Sequence, residues 1–182
     1  MKLVTIFFII FSGLFVNAQK VTFMGGIYSL KASADAASVT LSKPGIYAVS
    51  GAFPIMEHVE YNIGYTLFMS KTISGDMGYG PDLSINYFPF QKPTGDHINF
   101  HEINYSNLDK HRFFLQGSFH QRQFQSVQSP YSGFGAGIGW EYQVFENYAA
   151  YSLVRYQVHS GPNNANLKQL DVLVGIQFQF FK

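Results

Sequence analysis

From residue 20 onward the chain alternates between apolar and polar positions with a period of two. A β-strand sends successive side chains to opposite faces, so this period predicts strands. In 59–70, Val59, Tyr61, Ile63, Tyr65, Leu67 and Met69 share one face, while Glu60, Asn62, Gly64, Thr66 and Ser70 share the other, with Phe68 out of phase. In 132–144, Phe134, Ala136, Ile138, Trp140, Tyr142 and Val144 oppose four glycines, Glu141 and Gln143. In 170–180, Leu170, Val172, Val174, Ile176, Phe178 and Phe180 oppose Asp171, Gly175, Gln177 and Gln179, with Leu173 among the polar set.

Five weaker segments follow the same rule: 20–30, 46–55, 82–90, 113–122 and 148–158. Turn residues separate them, at Lys43-Pro44-Gly45, Ser74-Gly75-Asp76, Ser129-Pro130, Phe145-Glu146-Asn147 and Gly161-Pro162-Asn163-Asn164. No segment after the first 18 residues sustains a 3.6-residue period. The prediction is an all-β chain of eight strands. Most are near the length of about 9–11 residues that a tilted transmembrane strand needs.

The first 18 residues follow a different pattern. Met1-Lys2 precede the apolar run Leu3–Phe11, and Val16-Asn17-Ala18 place small or branched apolar residues before Gln19. That order predicts a cleavable signal peptide over 1–18, leaving 19–182 as one barrel domain. The run is shorter than the roughly 20 apolar residues of a membrane anchor.

Eight alternating strands suit two barrels. A soluble lipocalin-like barrel is apolar inside and wet outside, and a membrane barrel is the reverse. Composition favours the membrane form. Charged residues make up 13% of the chain and aromatics 18%, whereas a water-facing surface needs more charge. The polar strand faces carry mostly Gly, Ser, Asn and Gln. The apolar faces carry Tyr, Phe and Trp, as the aromatic girdles of a membrane barrel require. With 12 basic and 11 acidic residues, the net charge gives no reason to expect nucleic acid. With no Cys, disulfides, thiolate metal sites and cysteine nucleophiles are excluded.

In this pattern the chain resembles the small eight-stranded outer-membrane barrels of Gram-negative bacteria, the OmpA/OmpX-like proteins. Its end, Gly175-Ile176-Gln177-Phe178-Gln179-Phe180-Phe181-Lys182, resembles the C-terminal insertion signal of that family, with Gly175, Phe178 and Phe180 at matching spacing. The resemblance implies a closed antiparallel up-and-down transmembrane barrel in the outer membrane. It implies outer-membrane lipids, lipopolysaccharide and the assembly machinery as partners, and no cofactor. Leu173 stands where the family often has a polar residue. If Lys20 starts on the periplasmic side, 91–109 becomes a periplasmic connection, long for a position where turns are short.

The chemistry-bearing residues fall into three groups. Glu60, His120, Arg122, Glu141, Arg155 and Asp171 share the inward phase and are expected to form a paired network filling the interior, because buried charges must be compensated. His97, His101 and Glu102 have a spacing that could hold a metal on a helix, but they sit in a polar stretch with Pro93 and Gly95 that reads as a loop, so no metal is expected. His159, Ser160 and Asp171 have the residue types of a lipid A deacylase, yet adjacent strand positions point to opposite faces. Ser118 and His120 share a face, and that face is the inward one.

The loops at one end, roughly 31–44, 70–80, 124–132 and 159–169, are where a binding function would lie. The expectation is a structural or surface-binding barrel with a closed polar interior. The alternatives are a lipid A-modifying hydrolase and a narrow passive channel.

Overall fold

The computed structural model describes residues 19–34, 37–56, 58–68, 77–90, 110–125, 129–145, 147–162 and 165–180. Residues 1–18, expected as a signal peptide, the stretch 91–109 with His97, His101 and Glu102, and residues 181–182 lie outside them.

Among the described residues the chain forms eight strands and no α-helix: β1 Lys20–Ala34, β2 Ala37–Met56, β3 Val59–Phe68, β4 Gly78–Tyr87, β5 His111–Phe124, β6 Tyr131–Phe145, β7 Tyr148–Ser160 and β8 Asn166–Gln179. Each pairs antiparallel with its sequence neighbours. β1 closes on β8 from Lys20↔Gln179 to Ser33↔Asn166, so the sheet is a closed barrel without edges. Both described termini lie at one end, here the terminal end. The β1–β2, β3–β4, β5–β6 and β7–β8 connections lie at the other, the hairpin end.

Several bounds differ from those read in the sequence. The stretch 31–44, expected as a loop, is mostly strand: β1 and β2 pair through to Ala34↔Ala37. Its Ser, Ala and Thr side chains differ too little in polarity for period two to show. Lys43-Pro44-Gly45, expected as a turn, lies within β2. There Gly45 takes φ 105 and the pairing with β1 slips by one residue. A bulge tolerates proline because ladder bonds are already interrupted there, and only glycine takes positive φ without strain. β7 and β8 also extend beyond their expected ends. His159 and Ser160, expected at a loop edge, are strand residues, and the 159–169 loop shrinks to 161–165.

The faces follow the alternation. Ile27, Ile85, Leu115, Phe134, Ile138 and Val174 all point outward and are at least half exposed. A soluble barrel could not leave so much apolar surface in water. The phase is therefore that of a membrane barrel, and the lipocalin-like alternative is excluded by it.

The interior is more apolar than a purely polar network would make it. Leu30, Ile46, Phe68, Phe88, Phe114, Leu153 and Leu173 all point inward and are buried. Phe68, out of phase in the sequence, packs its ring edge-on against Tyr28 at 4.9 Å between centroids. Leu173 is fully buried in the same cluster. An eight-stranded barrel is just wide enough for side chains to fill, so volume decides these positions as much as polarity.

Candidate functional site

The interior charges gather in two groups, each with two acids and two bases. Near the terminal end, Glu60 of β3 pairs with Lys20 of β1 and, at 3.0 Å, with Arg112 of β5. Arg112 also holds Glu141 of β6 at 2.8 Å, and Gln177 donates to Glu141 at 3.2 Å. The Arg112 guanidinium lies over the Phe88 ring, 4.0 Å from its centroid, so the same cation is both paired and stacked.

The second group lies toward the hairpin end. Asp82 of β4 holds Arg122 of β5 at 2.7 Å and Arg155 of β7 at 3.6 Å. It also accepts a hydrogen bond from Thr66. Asp171 of β8 accepts from Arg155 at 2.8 Å, Gln157 at 2.7 Å and Gln169 at 2.6 Å. Arg155 and Asp171 are direct cross-strand partners. Thr66 Oγ1 also accepts from Arg155 Nη2 at 3.1 Å, closing a ring of bonds across the barrel. Each group is electrically balanced, which is the condition for burying charge at all.

Small residues on β6 make the room for these side chains. A Cβ at Gly137 would stand 3.0 Å from Arg155 Cβ, and one at Gly135 would stand 2.9 Å from Gln157 Cγ. Gly135 and Gly137 of the glycine face read from the sequence are thus the socket for the long residues of β7.

All six inward-phase residues named from the sequence are in the interior: Glu60 and Glu141 in the first group, Arg122, Arg155 and Asp171 in the second, and His120 beside Asp82. Lys20, Asp82 and Arg112 complete the two groups and are not among those six. Asp82 was visible as a polar inward position, and its charge demanded partners. Lys20 and Arg112 sit at strand ends, where alternation has too few residues to set a phase.

His120 stands in a distinctive position. Its Nδ1 lies 2.6 Å from Asp82 Oδ1 and its Nε2 lies 2.6 Å from Ser118 Oγ. With Nδ1–H donated to the carboxylate, Nε2 accepts the serine proton. This is the connectivity that activates a serine nucleophile. What the site lacks is space. The adjoining cavity, lined in part by Asp82, Ser84, Gln116 and Arg155, measures about 20 Å³, roughly one water molecule.

The trio His159, Ser160 and Asp171 does not converge on one surface. His159 is fully buried in the interior, with its ring centroid 5.9 Å from that of His120 and neither ring nitrogen hydrogen-bonded. Ser160 is exposed on the opposite face. Asp171 is committed to Arg155 and two glutamines. Among the described residues no set of three or more His, Asp or Glu side chains is placed to bind a metal.

Of the C-terminal residues, Phe178 faces outward, packing edge-on against Phe23 and Tyr148 at 6.0 and 5.2 Å between centroids. Gly175 lies against the β1 backbone, where a Cβ would stand 2.0 Å from the Phe23 carbonyl oxygen. Phe180 is exposed just beyond β8.

Comparison with solved structures places this geometry. Neisserial surface protein A matches with a TM-score of 0.61 at 15% identity, over 88% of this chain and 97% of that one. The N-terminal β-barrel domain of Pseudomonas aeruginosa OprF matches with a TM-score of 0.55 at 15% identity, over 90% of this chain and 98% of that one. The fold is that of an eight-stranded outer-membrane β-barrel. At this identity the likeness shows the fold alone. No protein-family model matches the sequence, and no curated protein matches it.

Proposed function

We propose that this chain is an outer-membrane barrel with a structural or surface-binding role and an interior that passes no solute. Export depends on the leader at 1–18, and insertion uses the C-terminal residues Gly175, Phe178 and Phe180. The observation that carries the reading is the pair of balanced ion-pair groups. They cross the interior at two levels, with apolar side chains such as Phe68, Phe88 and Phe114 beside them. A hydrated path would have to break charge pairs and displace these rings. Binding then falls to the loops and the outer surface, because among the described residues the interior cavity beside Asp82 measures only about 20 Å³.

The test is conductance in a planar bilayer. The expected result is no discrete current steps from the purified barrel. Steady steps at ordinary voltages would replace this reading with that of a passive channel.

The Ser118–His120–Asp82 geometry favours a second reading, a serine hydrolase acting inside the barrel on a very small acyl donor. A fluorophosphonate probe that labels the folded protein at Ser118, and not the Ser118→Ala variant, would establish it. Unlabelled protein leaves the three residues as part of the structural network.

A further inference from the structure

The cavity of about 20 Å³ beside Asp82 exists because inward residues on three adjacent strands are small: Ala48 and Ser50 of β2, Gly64 of β3 and Ser84 of β4. Ser50 and Gly64 are direct cross-strand partners. A Cβ at Gly64 would stand 2.8 Å from the Val49 carbonyl oxygen and 3.0 Å from the Ser50 Cβ, so a side chain there would push β2 aside. Space of about 10–15 Å³ on this measure admits one water molecule.

Two amide side chains reach this cavity with a polar atom to spare. Gln116 of β5 donates from Nε2 to Asn86 Oδ1 at 3.0 Å. That bond turns its Oε1 away from Asn86, and Oε1 is buried without a hydrogen-bond partner. On β3 the Nδ2 of Asn62 is buried without one as well. Each of the two residues is 7% exposed, and both line the cavity. Their strands are not neighbours. Ser84 of β4 lies between them and is the cross-strand partner of Asn62. A buried amide atom without a partner is costly and uncommon in a folded protein.

The chemistry of the two atoms selects the occupant. Gln116 Oε1 is an acceptor and Asn62 Nδ2 is a donor. A bare cation would be repelled by the Asn62 N–H groups, and a halide by the Gln116 oxygen. One molecule that both donates and accepts satisfies the pair. Charge on the wall agrees with a neutral ligand. Asp82 and Arg155 are the acid and the base that line the cavity. Asp82 is held by Arg122 and His120 at 2.7 and 2.6 Å, and Arg155 by Asp171 at 2.8 Å. A buried water needs about two to four polar partners, and Ser50 and Ser84 add hydroxyl groups to the two amides on the same wall.

We infer that this cavity is a binding site for a single internal water molecule, which accepts a hydrogen bond from Asn62 Nδ2 and donates one to Gln116 Oε1. The water ties β3 to β5 across β4, a link that no cross-strand pair supplies. The site goes beyond the closed-interior reading and does not depend on it, since one enclosed molecule is not a path along the barrel. It is also independent of which end of the barrel faces which side of the membrane.

The test is a crystal structure of the full barrel in detergent, at a resolution that shows ordered water, from crystals grown in sodium chloride and again in rubidium chloride. The expected result is one density peak within about 2.5–3.2 Å of both Asn62 Nδ2 and Gln116 Oε1, with no anomalous signal in rubidium. Ser84→Val should abolish the peak by filling the cavity with methyl groups. It should also lower the urea midpoint, because both amides lose their partner. Ser84→Ala leaves the space and both amides, and should keep the peak. The two variants thereby separate loss of the water from loss of the serine hydroxyl. Retention of the heat-dependent gel shift shows that each variant is folded, and the wild-type peak decides the question if Ser84→Val does not fold. Absence of a peak between the two amides overturns the proposal, as does an anomalous peak there, which would mark a cation. Conductance is measured separately, so an open pore in a barrel that still shows the bridging peak defeats the closed-interior reading and leaves this site standing.

Discussion

Phe114 of β5 and Gly139 of β6 are cross-strand partners, and the ring fills the space a side chain at 139 would need. A Cβ there would stand 1.9 Å from Phe114 Cζ. Phe114 in turn packs between Phe88 and Tyr151, at 5.5 and 5.3 Å between ring centroids. The glycine is therefore part of the packing of the apolar layer near the terminal end.

Gly139→Val should displace the ring and strain the layer, at a cost of about 1–3 kcal/mol. The measurement is the urea midpoint of the barrel in detergent, followed by the mobility difference between boiled and unboiled samples. Gly139→Val combined with Phe114→Ala should recover part of the loss, since the ring and the new methyl groups compete for one volume. A single variant as stable as the parent would contradict the packing described here.

The Arg155–Asp171 pair makes a different prediction. Asp171→Asn leaves the buried Arg155 with only its longer contact to Asp82 and its bond to Thr66, and should destabilise by about 3–5 kcal/mol. Replacing both, Arg155→Met with Asp171→Leu, removes the charges together and should cost much less. However, Asp82 and Gln157 then lose partners, so the double change will not be neutral. A double-mutant cycle on unfolding free energy measures the coupling. Additive single effects would mean that the pair is not a unit.

Position 174 tests the outer surface. Val174 is 61% exposed in the middle of the outward row of β8. Val174→Arg should destabilise the barrel in lipid by about 2–4 kcal/mol, the range for a basic side chain near the bilayer midplane. Lys168→Arg, at the first charged outward position beyond that row and so at the headgroup boundary, should change stability little. Equal effects at the two positions would contradict the depths assigned to them.

The strand count, the phase of the strands outside the β1–β2 hairpin and the six interior ionisable residues were legible because period two survives wherever large apolar residues face small polar ones. The β1–β2 hairpin was not legible, since Ser, Ala and Thr differ too little for alternation to register and Pro44-Gly45 imitates a turn. The apolar interior was legible only as exceptions. Phe68 and Leu173 break the pattern because the interior needs bulk at those heights, and a polarity rule has no term for volume. The Ser118–His120–Asp82 contacts join β4 to β5, and sequence spacing within one strand cannot reveal a partner on another. His159 was placed at a loop edge because Gly161-Pro162 follows it closely, yet β7 continues through Ser160.

The central claim is that the apolar faces point outward into lipid and the polar faces inward. The chain has no Cys, so single cysteines can be introduced one at a time through β8, from Leu170 to Gln177, and spin-labelled in the barrel reconstituted in lipid. The account predicts that labels at 170, 172, 174 and 176 collide with oxygen dissolved in the bilayer. Labels at 173 and 177 should be shielded from both oxygen and a water-soluble relaxing agent; 171 and 175 are left unsubstituted, because Arg155 needs Asp171 and a Cβ at 175 meets the β1 backbone. The opposite phase, with odd positions open to water and even positions shielded, would contradict the account and make this a soluble barrel with an apolar interior.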